Sequence, residues 1–357
     1  LWRSLSWTDR LLAPFVLIAM IVGIVIGVYA EDGFKRTFQN RASWNGVSIP
    51  ILVGLLVMIW PALMKVQWER ILDLMRLRSV WAHLGLAFVL NWIISPFVML
   101  ALAWATLPED GLVDYRRGVL LVGVARCIAM ILIWNSISCG DANFCAILVV
   151  FNSLLQVVLF APYAVLFTNY LGVRSGANVS ALHLDYSAAA RAVGIYLGIP
   201  LAAGVLTRAV ALTLFSPANS SRIFSAISPL SIIGLLYTII VLFASQGKNI
   251  IDRIGTVFRV CVPLVLYFVI MWFGTFFTLW FVSRTRKGAF LGGYEKVVTQ
   301  AFTAGSNNFE LAIAVAIASF GTDSHEVLAA TLGPLIEVPV LLSLSYVALW
   351  LKYRLRY

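Results

Sequence analysis

Thr303-Ala304-Gly305-Ser306-Asn307-Asn308-Phe309-Glu310 interrupts an apolar run that is otherwise long enough to cross a bilayer. A lipid-facing helix has no use for such a succession of small and polar residues, because hydrocarbon offers them no hydrogen-bond partner. A second apolar run carries a similar interruption, Gly123-Val124-Ala125-Arg126-Cys127-Ile128-Ala129. The two segments predict a pair of interrupted helices, with the freed backbone groups met by protein, water or cargo.

Working outward, apolar stretches of spanning length recur near residues 11–30, 47–65, 81–106, 117–138, 144–168, 188–212, 227–246, 257–282, 297–320 and 326–351. The fold expected is all-α, with ten transmembrane helices. Composition agrees: of 357 residues 61% are hydrophobic and only 12% charged, about half the charge of a soluble domain. That excludes a soluble globule and a disordered chain, and four cysteines in or beside apolar runs exclude a disulfide scaffold. A net charge of +10 would suggest nucleic acid in a soluble protein. Here the basic residues cluster between apolar runs, so the expected partner is the lipid bilayer and no nucleic acid. Lys65, Arg70, Arg76 and Arg78 form one cluster, Arg284, Arg286, Lys287 and Lys296 another, and Lys352, Arg354 and Arg356 a third. With the N-terminus inside, 15 Lys/Arg fall on the cytoplasmic side, 10 outside, and Arg126 within a span. The bias predicts both termini in the cytoplasm. The first apolar run is too long for a signal peptide, and an opening at Leu1 rather than methionine implies residues upstream. Residues 169–187, with Arg174, His183 and Asp185, read as the longest connection, an external loop or interfacial segment.

The chain also repeats. At an offset of 180, Gly54-Leu55-Leu56 meets Gly234-Leu235-Leu236. At 181, Ser138-Cys139-Gly140 meets Ser319-Phe320-Gly321, and Leu154-Leu155-Gln156-Val157 meets Leu335-Ile336-Glu337-Val338. The units expected are a first five-helix repeat over 1–168, a connecting loop over 169–187 and a second repeat over 188–357. An odd number of spans inverts the second half relative to the first, and such inverted repeats bind cargo at mid-membrane.

Arg126 is costly inside a membrane unless paired. It lines a cargo cavity, or it locks two helices in an ion pair, or both; Glu337 is its expected partner and Glu310 the second choice. Glu337 stands alone among apolar residues between Pro334 and Pro339. Burial and a nearby arginine pull such a carboxylate's proton affinity in opposite directions, which suits a proton-coupling group, with Glu310 as a further proton-coupling candidate; the plainer alternative is a permanently paired anion. Cys127 could simply pack as a small hydrophobe, but a cation beside it makes it available as a soft ligand for trivalent arsenic. Ser306, Asn307 and Asn308 suit a neutral polyhydroxyl solute, or sodium. Asn91, Trp134, Asn135, Asn152 and Gln156 are candidates for the surrounding wall. Cys139, Cys145 and Cys261 read as off the path. His83, His183 and His325 have no metal-ligand spacing and read as structural. No cofactor is expected. The sequence holds no P-loop, nucleotide fingerprint or hydrolase triad, so an enzyme is the least supported reading.

Three segments carry a family resemblance. Ala125-Arg126-Cys127-Ile128-Ala129-Met130, with Trp134-Asn135 and Gly140-Asp141, resembles the fourth span of the arsenical-resistance arsenite efflux transporters, within the bile acid/arsenite/riboflavin transporter superfamily. The run from Val298 to Thr303, followed by Ser306-Asn307-Asn308-Phe309-Glu310-Leu311-Ala312-Ile313-Ala314, is similar to the ninth span, and Gly333 to Val340 to the tenth. Cys139 before Gly140 departs from the pattern. The resemblance implies panel and core domains with crossed, broken fourth and ninth helices, and export of arsenite, with possible antimonite, in exchange for protons. It implies Cys127 as the metalloid ligand and Glu337 as the coupling carboxylate. The overall texture looks fungal-like, which suggests the plasma membrane. The rivals are a sodium-coupled organic-anion symporter, with Asn307, Asn308 and Glu310 on sodium and Arg126 on the anion, and a passive channel.

Overall fold

In apolar surroundings the backbone must bond to itself, and helix is the local way to do so. The computed structural model describes residues 12–34, 43–44, 47–66, 68–69, 78–173, 183–285, 288 and 291–355, and helix occupies every one of the ten apolar stretches. In chain order the helices are α1 (Leu12–Tyr29), α2 (Ile49–Met64), α3 (Val80–Thr106), α4 (Val113–Val124), α5 (Met130–Ile137), α6 (Ala142–Leu171), α7 (Tyr186–Leu214), α8 (Pro217–Ile227), α9 (Pro229–Asp252), α10 (Ile254–Ser283), α11 (Tyr294–Ala304), α12 (Phe309–Phe320) and α13 (His325–Arg354). One departure from all-α is a ribbon pairing Ser43–Trp44 with Val47–Ser48. The sequence between them, Asn45-Gly46, is the dipeptide favoured in two-residue hairpins. The connection expected over 169–187 is shorter than that, because α6 continues to Leu171 and α7 begins at Tyr186. Leu1, Arg70, Arg76, Arg174, Arg286, Lys287 and Arg356 lie outside the described residues.

Two prolines shape the long helices. Pro96 and Pro200 each follow closely on a π-helical stretch, Val89–Ile94 and Gly194–Gly198. Proline lacks an N–H and its ring clashes with the carbonyl four residues back; the wider turn accommodates both.

The helices pack in two sets. In one, α9 lies along α1 and α2, and the Ile199–Leu214 part of α7 closes on α2. In the other, α13 packs on α4, α10 and α12, while α10 packs on α3 and α11. The sets meet where α13 touches α1 and α9. Small residues tighten the first set. A Cβ added at Gly27 would come within 3.0 Å of the Gly247 Cα, and one at Gly23 within 2.7 Å of the Phe243 Cβ, the backbone-close contact typical of helices in membranes.

α3, α6, α7, α10, α13 and the stretch Ala218–Asp252 are long and apolar enough to cross a bilayer; Pro14–Tyr29, Ile49–Met64 and Phe309–Phe320 are shorter apolar helices. Leu17, Ile18, Ile21 and Val25 of α1 are exposed, whereas Arg116, Arg117 and Arg126 are fully buried. Apolar outside and polar inside is the arrangement of a multi-pass membrane protein.

At one end, Arg259 pairs with Glu109 at 2.8 Å, joining the α3–α4 connection to α10. The Arg259 hydrogen bond and charge hold the Glu109 carboxyl below its usual range. A depressed pKa contributes stability that is present above the unfolded value of about 4.3 and is lost as pH falls through the folded one. Both partners are solvent-exposed, so the effect is small.

Two outcomes follow for thermal unfolding in detergent. Gly27→Val lowers stability by about 1–3 kcal/mol through overpacking, whereas Gly85→Ala, with no atom within 4 Å of the added Cβ, costs nothing. Arg259→Gln lowers Tm slightly at neutral pH, and the difference from wild type closes as pH drops below the carboxylate range.

Candidate functional site between the broken helices

In chain order the second interruption, between α11 and α12, follows from local chemistry. Gly305, Ser306, Asn307 and Asn308 are poor interior helix formers. The Asn308 side chain then caps α12 by accepting from the Leu311 N–H at 3.0 Å, and Glu310 sits in the first turn, where a carboxylate complements the helix dipole. The first interruption has no such local signal and is imposed from outside. The Asn307 amide donates to the carbonyls of Val122 at 2.8 Å and Ala125 at 3.1 Å, closing the end of α4. The Gln156 side chain of α6 accepts from the Arg126 backbone N–H. Arg126 and Asn307 themselves form an antiparallel bridge, so the two breaks meet.

The fully buried Arg126 side chain corrects the expected ion pair. Its guanidinium donates to the Ser95 Oγ at 2.7 Å, to the Tyr267 hydroxyl at 3.0 Å and to the Gly123 carbonyl. The Ser95 and Tyr267 hydroxyls bond each other, and each lies 3.3 Å from the Ala304 carbonyl. Two hydroxyl protons serve this cluster: one spans the pair and the other goes to Ala304. Among the described residues no carboxylate is in ion-pair range of Arg126. The negative ends of α4 and α11 take the place of the expected anion. Sequence reasoning missed Ser95 and Tyr267; their signal was faint, single hydroxyls in otherwise apolar helices.

On the other side of the breaks, Cys127, Ile128, Ala129, Met130, Asn308 and Glu310 line a narrow crevice with Met58 and Ile59 of α2. The start of α5 has no side-chain cap, and Ala129 and Met130 line the crevice, which sets the positive end of that helix beside it. Ser306 and the backbone of Ile131 stand beside the Cys127 thiol, with Glu310 and Glu337 nearby. Glu337 is fully buried in α13 near the Asn307 backbone N–H, yet among the described residues neither of its oxygens has a partner at hydrogen-bond geometry. Among the described residues Arg126 Nε, Gln156 Nε2, Asn307 Oδ1 and Trp134 Nε1 are likewise buried without one. Such groups are costly to leave unmade, and those of Arg126, Gln156, Asn307 and Glu337 lie at the breaks.

The structure thus brings together Cys127, Ser306, Asn308, Glu310 and Glu337. Arg126 and Asn307 hold the breaks instead of lining the crevice. Asn135 is elsewhere: its side chain accepts from Thr299 at 2.7 Å, about two helical turns, or roughly 10 Å, before Ser306. Trp134 is buried in α5. Asn152 accepts from the Trp92 indole at 3.2 Å, and Asn91 donates to its own helix at Ala87. Cys139 is exposed, Cys145 buried and Cys261 half-buried, all as free thiols. Among the described residues no group of three His, Cys, Asp or Glu side chains could hold a metal ion.

A multi-pass bundle with two meeting broken helices, and with a thiol and two carboxylates at the junction of two helix sets, has the build of a membrane carrier. The chain belongs to the sodium bile acid symporter family, whose profile matches residues 52–253, and within it to the arsenical-resistance group. It is 38% identical to the arsenical-resistance protein Acr3 of Corynebacterium glutamicum, over 98% of this chain and 91% of that one. It is 30% identical to an uncharacterized transporter of Synechocystis, over 96% and 88%, and 28% identical to Acr3 of Alkaliphilus metalliredigens, over 96% and 92%. These relatives are bacterial and lend the fungal likeness no support.

Tyr267→Phe strips the cluster of one proton and one acceptor while keeping the ring. It is expected to cost about 1–3 kcal/mol, the loss for a buried group left unpaired, read as a lower Tm against wild type.

Proposed function

We propose that the protein exports arsenite, as neutral arsenous acid, in exchange for protons by alternating access. The observation that carries this reading is the composition of the crevice. It holds one soft thiol, Cys127, beside Asn308 and Glu310, and its other wall is α2, which belongs to the opposite helix set. A solute bound there touches both sets, so rocking one against the other would change which side it faces. Two of the relatives are named arsenical-resistance proteins, which agrees with a thiophilic cargo.

The first helix set corresponds to a panel and the second to a core with crossed broken helices. In this reading 1–168 and 188–357 are inverted five-helix repeats, giving ten spans with both termini cytoplasmic in the plasma membrane. Paired contacts support it. A side chain at Gly54 would meet Thr238 and Tyr237, and one at Gly234 would meet Met58, a near exchange of partners at an offset of 180. At 181, Gln156 beside the Arg126 N–H corresponds to Glu337 beside the Asn307 N–H.

Cys127 binds arsenic(III), with Ser306 and Asn308 on the solute hydroxyls. Glu337, close to Glu310, carries the proton. Two carboxylates without a cationic partner disfavour sharing one site while both are charged. Proton and solute then compete, so that only loaded forms cross readily. A single thiol keeps the cargo releasable.

Arsenite uptake into everted vesicles under an imposed proton gradient, without sodium, tests this. Wild type is expected to accumulate arsenite and Glu337→Gln only to equilibrate it. Cys127→Ala should slow the initial rate by about tenfold or more, equivalent to losing a contact of roughly 1.4 kcal/mol. Accumulation only when sodium is added, or equilibration that ignores both ions, would overturn the proton-exchange reading.

A further inference from the structure

We infer that the Arg126 guanidinium occupies the seat of a monovalent cation, tethered to the chain and so never exchanged. The cage around it is built only of neutral oxygens: the Gly123 carbonyl, the Ser95 Oγ at 2.7 Å and the Tyr267 hydroxyl at 3.0 Å. Behind the two hydroxyls stands the Ala304 carbonyl. Gly123 lies in the last turn of α4 and Ala304 is the last residue of α11. The charge therefore sits where two half-helices end, at their negative poles.

Half-helix C-terminal ends and unwound carbonyls are the groups that coordinate sodium in carriers with discontinuous helices. A cage of hard, neutral oxygens suits one positive charge. A divalent ion would call for carboxylates, and among the described residues none is in ion-pair range of Arg126. The side chain thus supplies the charge that two facing C-terminal ends require, and it stays with the chain through every conformation. A sodium gradient then has nothing to act on at this level, and the exchangeable charge falls to the carboxylates of the crevice. That last consequence rests on the transport reading; the cation seat itself does not.

Deleting the side chain should turn a filled seat into a binding site. The full-length protein is purified in detergent, and thermal unfolding is followed in sodium chloride, in N-methylglucamine chloride and in guanidinium chloride at non-denaturing concentration. Wild type is expected to unfold at one temperature in sodium and in N-methylglucamine. Arg126→Ala is expected to be less stable in N-methylglucamine and to regain about 3 °C or more in sodium or guanidinium, as a ligand binding only the folded state would give. Arg126→Lys keeps a tethered charge and should fold without responding to the small cations. The proposal is overturned if Arg126→Ala responds to small cations no more than wild type. If Arg126→Ala yields no folded protein in any salt, Arg126→Lys decides: folded and unresponsive protein supports the tethered cation, and its failure to fold overturns it. An absence of arsenite flux in wild type would refute the transport reading and leave these unfolding results standing.

Discussion

A helix interrupted inside an apolar interior leaves carbonyls and N–H groups with no water to bond, and two such interruptions meet here. The rest of the site depends on how those groups are met. The Asn307 amide closes the end of α4, Gln156 takes the Arg126 N–H, and the guanidinium with two hydroxyls gathers carbonyls from both half-helices. Each break completes the other. Removing one partner would leave orphaned groups in both, which explains how a charged residue fits a fully buried position.

The same accounting separates two faces of the junction. Carbonyl ends and a cation lie on one, and the uncapped start of α5, a thiol and a carboxylate line the other. The first is tied by internal bonds between the two breaks and holds geometry. The second retains groups that can still bond to something else, and it lies where the two helix sets meet. Structure and chemistry are divided between faces of a single short segment, so Arg126 and Cys127, adjacent in sequence, do different work.

Much of this was legible in the sequence. The apolar runs located the helices, because in such a chain length and hydropathy leave little else. The second break was written in Gly305, Ser306, Asn307 and Asn308, and the resemblance of the fourth, ninth and tenth spans pointed to the right family. The ion pair between Arg126 and Glu337 was not there to be read. That expectation assumed only an anion can balance a buried cation, whereas here helix ends do so through neutral hydroxyls. Ser95 and Tyr267 were illegible for a related reason: they lie 31 and 141 residues from Arg126, and nothing in their own surroundings marks them. Asn135 was expected in the wall as a polar residue of an apolar span, and its side chain is instead taken up by Thr299 of α11.

In the two-repeat reading, Gln156 and Glu337 are one position written twice, as an amide and as an acid. A protonated glutamic acid is nearly the shape of glutamine, with hydroxyl in place of amino group. Taking up a proton therefore makes the two halves chemically alike at this position, and losing it makes them differ by a charge. The proton would then act as a toggle on the molecule's own symmetry, with one half serving as the fixed reference against which the other is switched.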